Sequence, residues 1–102
     1  MSTRPPALSP EEAKRQILFI LDEGNVELSA HCKRDSMLTR GVSMLDVIHA
    51  LKTGEIQRTP EWDDGHDNWK YRVEGQDTDG DDLTSIVVII EADLTLRIVT
   101  VF

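Results

Sequence analysis

The sequence predicts an α+β fold, with two or three N-terminal helices packed on one face of a mostly antiparallel sheet of about four strands. Two observations carry this expectation. In the first half, Ala13–Leu21 and Met44–Leu51 place apolar residues at helical spacing between capping signals. From Asn68 onward the period changes to two, and β-branched residues gather in runs separated by turn-type segments. Helices followed by a run of strands imply a layered α+β arrangement, because alternating βαβ units would interleave the two patterns.

The segment MSTRPPAL, residues 1–8, has two prolines and no periodicity, and is expected to be a flexible tail. A single domain is expected over residues 9–102. Its first helix starts where Ser9 suits the N-cap, Pro10 the first turn and Glu12 a capping box, and it ends at Gly24 in a left-handed C-terminal conformation. Ala13, Ile17, Ile20 and Leu21 form its buried stripe, with Lys14 and Arg15 turned outward. NVELS alternates Val26 and Leu28 with polar residues, as an edge strand does. A short helix follows in AHCKRDSMLTRG, and a longer one in SMLDVIHALKTG, capped by Ser43 and Asp46 and stopped at Gly54.

EIQRTP is expected as a short strand and EWDDGHDN as an acidic surface loop. NWKYRVEGQD, LTSIVVIIEA and LTLRIVTVF then read as three antiparallel strands, the first two joined at the TDGDD turn.

Composition narrows the class. With 102 residues, 39% hydrophobic and 29% charged, the chain can enclose one core and does not resemble a disordered sequence. Its longest apolar run, Ile86–Ile90, is far too short to span a bilayer, and the first twenty residues lack a secretory pattern, so a cytoplasmic protein without membrane contact is expected. The lone Cys32 excludes an internal disulfide framework and reads as a packed thiol. A net charge of −8 opposes general binding to nucleic acid unless basic residues gather on one face. Most cations precede residue 59, while aspartates crowd the later loops.

Metal chemistry finds little support. DTDGDD resembles the start of a calcium loop, but its glycine comes fourth where sixth is required, and strands flank it where helices should. Asp63, Asp64, His66 and Asp67 are explained by a solvated loop without an ion. No phosphate-cradling loop, nucleophile elbow or paired-cysteine site is present, so no metal and no cofactor is expected. What remains is His31, Lys33, Arg34, Arg40, Trp69, Lys70, Tyr71 and Arg72. Such residues perform metal-free phosphoryl chemistry when arginine or lysine stabilises charge while histidine or tyrosine moves protons.

LSAH, Met37, TRGVS, Asp46-Val47, LKTGEI, TPEW, NWKYRVEG and the closing RIVTVF together resemble a family of small bacterial proteins of unknown function. That family is distantly similar to the RelE/ParE/BrnT group of toxins, and the resemblance covers about residues 9–102. It implies two helices against a four-stranded antiparallel sheet, and the toxin of a type II toxin–antitoxin module. The implied partners are a cognate antitoxin with a helix-turn-helix or zinc-finger domain, and messenger RNA on the ribosome, cleaved without metal. It places the family's histidine on His31, its arginine on Arg40 and its Trp-x-Tyr-Arg strand on Trp69, Tyr71 and Arg72, so the working set is His31, Arg40, Tyr71 and Arg72, with Lys33, Arg34, Trp69 and Lys70 as the candidate contacts to RNA or a partner. RelE-like nucleases are usually basic whereas this chain is acidic, and the alternative is a non-enzymatic protein-binding module or inactive relative that does not bind RNA.

Overall fold

Ser9 accepts a hydrogen bond from the Glu12 amide at 3.2 Å and Pro10 occupies the first turn, so a helix begins there and runs Pro10–Glu23 (α1). A computed structural model describes residues 4–102; residues 1–3 of the expected tail lie outside the described residues. Next come β1 (Asn25–Leu28), a π turn (Cys32–Ser36) continuing into α2 (Met37–Arg40), α3 (Met44–Thr53), β2 (Glu61–Asp63), β3 (Asn68–Gln76), β4 (Asp82–Ile90), a 3-10 turn (Glu91–Asp93) and β5 (Thr95–Val101).

The strands form one five-stranded sheet in the order β1-β5-β4-β3-β2. It is mixed: β1 runs parallel to β5, and the other neighbours are antiparallel. The fold class is therefore the expected one, with five strands in place of about four. The extra strand is β2, which falls inside the segment expected to be a loop. Trp62 and Trp69 are direct partners across β2 and β3, their rings edge to face with centroids 5.2 Å apart, and this contact favours pairing in an otherwise acidic stretch. EIQRTP, expected as a strand, makes only one bridge, between Glu55 and Glu74.

The core lies between the helices and one face of the sheet. Ala13, Ile17 and Ile20 of α1 and Val47, Ala50 and Leu51 of α3 are buried with Val73, Leu83, Val87, Leu96 and Ile98 of the strands. Cys32 is buried there too, and burial pushes its thiol pKa up, which suits packing and opposes reactivity. α3 comes so close to β3 that a Cβ on Gly75 would sit 2.0 Å from the Ala50 carbonyl oxygen.

Local details depart from expectation where tertiary contacts intervene. Gly24 is extended rather than left-handed, with φ −113°. Its small size is needed because the Leu94 carbonyl oxygen would lie 2.2 Å from any Cβ. Lys14 does not face outward: its Nζ donates to the carbonyls of Leu51, Lys52 and Gly54, closing the C-terminus of α3. The Ser43–Asp46 capping box forms in full, and Asp46 also accepts from the Thr78 amide and hydroxyl, tying α3 to the β3–β4 turn. In that turn Asp77 accepts the amides of Asp79 and Asp81, each at 2.9 Å, so its carboxylate organises backbone.

Candidate functional site

Among the described residues, α1 and α3 pack on one face of the sheet and leave the second face open. Side chains alternate along a strand, so Trp69, Tyr71 and Val73 of β3 point to one side and Lys70, Arg72 and Glu74 to the other. This alternation separates the residues singled out in the sequence. Tyr71 is buried on the covered face, where its hydroxyl accepts the Leu8 amide at 2.9 Å and burial raises its pKa. Trp69 is on that side as well. Arg72 lies on the open face, its guanidinium 5.0 Å from the Phe102 ring centre and 3.4 Å from the Glu74 carboxylate. Arg40 ends α2 and donates to the main-chain oxygen of Asp82. Lys33 and Arg34 are exposed on the π turn. His31, Arg40, Tyr71 and Arg72 thus occupy four separate surroundings.

The structure instead brings His31 together with residues of the supposed acidic loop. A pocket of about 310 Å³ on the open face is lined by Ser29, Ala30, His31, Asp63, His66, Asn68, Val88, Arg97 and Val99. Ser29 sets its position. The Ser29 hydroxyl donates to the Val99 carbonyl at 2.6 Å and accepts the Cys32 amide at 3.0 Å, clamping the start of the helical segment onto β5. Val99 is the residue bulged out of register, since Val87 pairs with Ile98 and Ile86 with Thr100. A strand bulge and a helix start therefore meet at one point, and His31 is held two residues beyond it.

The opposite wall comes from the β2–β3 hairpin. Asp63 ends β2, accepts the Gly65 amide at 3.0 Å and lies 2.9 Å from His66 Nδ1. The His66 hydrogen bond, helped by that amide and by the charge of Lys70, holds the Asp63 carboxyl below its ordinary pKa. In the tautomer whose Nδ1–H donates to this carboxylate, Nε2 is the nitrogen left to accept a proton. His31 Nδ1 is 3.4 Å from Asp35, and Arg97 is 3.9 Å from Glu27 on the neighbouring strand. All three functional groups remain largely accessible, with side-chain exposures of 61% for His31, 76% for His66 and 45% for Arg97.

Beside it, Arg58, Thr59, Glu61, Lys70, Arg72 and Ile86 line a smaller pocket of about 120 Å³. The open face thus offers Arg58, Lys70, Arg72 and Arg97 against Glu27, Glu61, Asp63 and Glu74. With Asp35 beside His31 the balance is four cations to five carboxylates, far less acidic than the chain as a whole at −8, which gathers four aspartates in the 77–82 turn. No cluster of three metal-ligating side chains occurs among the described residues.

Chemically, two imidazoles, one braced by a carboxylate, share a pocket with a guanidinium. Proton acceptor, proton donor and anion stabiliser are all present. Arg97 was missed in the sequence because nothing marks one arginine in a β-branched strand. His66 was legible only as a loop residue, although the Asp-x-x-His spacing from Asp63 gave a usable hint of the pair.

Fold and site define an α+β domain with helices on one sheet face and an accessible two-histidine pocket on the other. Residues 28–102 match the family described as a domain of unknown function, DUF4258, and the chain belongs to it. The match takes in the whole pocket and leaves α1 outside. No curated protein and no solved structure matches the chain significantly. No helix among the described residues is long and apolar enough to cross a membrane.

Proposed function

We propose that the chain cleaves single-stranded RNA without a metal, as the toxin of a type II toxin–antitoxin module, and that the open-face pocket is where it does so. The observation that carries this reading is the convergence of His31, the Asp63–His66 pair and Arg97 in one pocket. Further support comes from the resemblance to RelE/ParE toxins, which expects helices packed on one face of a largely antiparallel sheet.

His66 takes the proton from a ribose 2′-hydroxyl, whose oxygen attacks the adjacent phosphorus. The bond from phosphorus to the 5′-oxygen breaks, and His31 gives that oxygen its proton. A 2′,3′-cyclic phosphate and a 5′-hydroxyl result. Arg97 stabilises the charge developing on the phosphoryl oxygens. Lys70, Arg72 and Arg58 in the adjoining pocket contact the neighbouring phosphates. Arg40 and Tyr71 act in this scheme through the fold, the one by joining α2 to the start of β4, the other by holding residue 8.

The test is incubation of the purified chain with single-stranded RNA, and with ribosomes programmed with messenger RNA, in the presence of a chelator at low salt. Cleavage leaving cyclic phosphate ends is expected, and is lost in His31→Ala, His66→Ala and Arg97→Ala. Absence of cleavage on both substrates, or equal cleavage by all variants, overturns the proposal.

A second reading is a non-catalytic module for a protein partner. It is favoured by Leu38 of α2 and Leu45 of α3, which are 74% and 73% exposed, an unusual state for leucines unless something covers them. In the toxin reading this is where a cognate antitoxin docks.

A further inference from the structure

On the covered side of the sheet, beyond the helices, Trp62, Trp69 and Tyr71 form an aromatic row, and residues 4–8 lie against it. The contacts are specific. The indole Nε1–H of Trp69 donates to the Pro5 carbonyl at 2.7 Å. The Arg4 guanidinium stands 5.7 Å from the Trp62 ring centre and 6.0 Å from that of Trp69. The Leu8 amide donates to the Tyr71 hydroxyl at 2.9 Å, and the Leu8 side chain packs on the core. A cleft of about 290 Å³ remains between segment and sheet, and its lining includes the carboxylates of Asp67 and Glu91, a charge that suits a basic residue.

The chemistry of the segment matches this surface. Pro5 and Pro6 have fixed φ, and Arg4 and Pro5 each precede a proline, which biases both to extended conformations. Such a segment is largely ordered before it docks, so docking costs little entropy. A polyproline II backbone has no internal hydrogen bonds, leaving its carbonyls free to accept from a donor such as an indole. Aromatic walls, an indole donor aimed at a proline carbonyl and a cation stacked on the rings together recognise proline-rich peptides by their shape.

We propose that the Trp62–Trp69–Tyr71 row is a binding site for polyproline II segments carrying an arginine before the prolines. In this chain the site is occupied by residues 4–8, and a partner protein with a segment of the same chemistry enters by displacing them. The site is on the opposite sheet face from the two-histidine pocket and does not depend on RNA cleavage.

The test uses the full chain, the full chain with R4A, P5A and P6A together, and that variant with Trp69→Phe. Only exposed residues change in the triple variant, and circular dichroism checks that the fold is kept. The probe is a synthetic peptide, TRPPALS, followed by tryptophan emission. The triple variant is expected to emit to the red of the wild type, and the peptide to reverse that shift saturably. The wild-type chain binds the peptide about tenfold more weakly or worse, because its own segment competes at high effective concentration. Trp69→Phe lowers the affinity of the triple variant about fivefold through the lost indole hydrogen bond. Identical emission from wild type and triple variant overturns the proposal. So does an absent saturable response at millimolar peptide, or equal binding of a peptide with alanine in place of both prolines.

Discussion

The two faces of the sheet are built from alternate residues of the same strands, yet they obey different rules. On the covered face, position is enforced by backbone proximity: α3 lies so near β3 that Gly75 has no room for a methyl group, and Val73, Val87 and Ile98 are fully buried. On the open face, His31, His66 and Arg97 are held by single polar contacts and remain accessible. Substitutions on the first face should therefore be read in stability, and on the second in the proposed activity. The comparison teaches that neighbours in sequence such as Tyr71 and Arg72 serve different ends when a strand separates them.

The sharpest way to break this contrast is Gly75→Ala. The added Cβ meets main-chain atoms of α3 that cannot rotate aside, and the loss should be about 3 kcal/mol, seen as a lowered denaturation midpoint. On the open face, His66→Ala should lower the rate of the proposed cleavage about 100-fold while moving the thermal midpoint far less than Gly75→Ala does, as single-turnover assays and calorimetry would establish. An equal loss of stability would erase the distinction between the faces.

Ser85 sharpens it from the other direction. Its hydroxyl is buried on the covered face with no hydrogen-bond partner among the described residues, so Ser85→Ala should stabilise the chain by about 1 kcal/mol in chemical denaturation. Ser43→Ala removes the cap of α3 and should cost about 1 kcal/mol in the same measurement.

The smallest effect concerns acid. The amide of Ser43 and the hydroxyl and amide of Thr78 hold the Asp46 carboxyl well below its ordinary pKa, and His66 does the same, less strongly, for Asp63. A depressed folded-state pKa adds stability that is fully present above the unfolded value of about 3.9. It is lost as pH falls through the folded value. Thermal midpoints should thus decline below about pH 4, and Asp46→Asn should flatten that decline.

Much of the covered face was legible in the sequence. The stripes of α1 and α3, the caps at Ser9 and Ser43 and the period-two strands β3 to β5 follow from local patterning, because one buried face repeats with the period of its element. β2 was not legible: three residues in an acidic stretch become a strand only when Trp62 meets Trp69. The candidate pocket was less legible still. His31 could be named as a residue type suited to proton transfer, but its neighbours Asp63, His66, Arg97 and Val99 come from strands and turns far apart in the chain.

The sequence by itself determined the helices α1 and α3 with their caps, the strands β3 to β5 and the shared side of Trp69, Tyr71 and Val73, because these depend on spacings of a few residues and on the cost of leaving apolar surface in water. Only the tertiary structure decided that β1 lies parallel to β5, that Lys14 closes α3, and that a serine at a helix start clamps a strand bulge and so carries His31 towards His66. Those outcomes depend on which distant backbone groups come within hydrogen-bonding reach, and no local pattern encodes such distances.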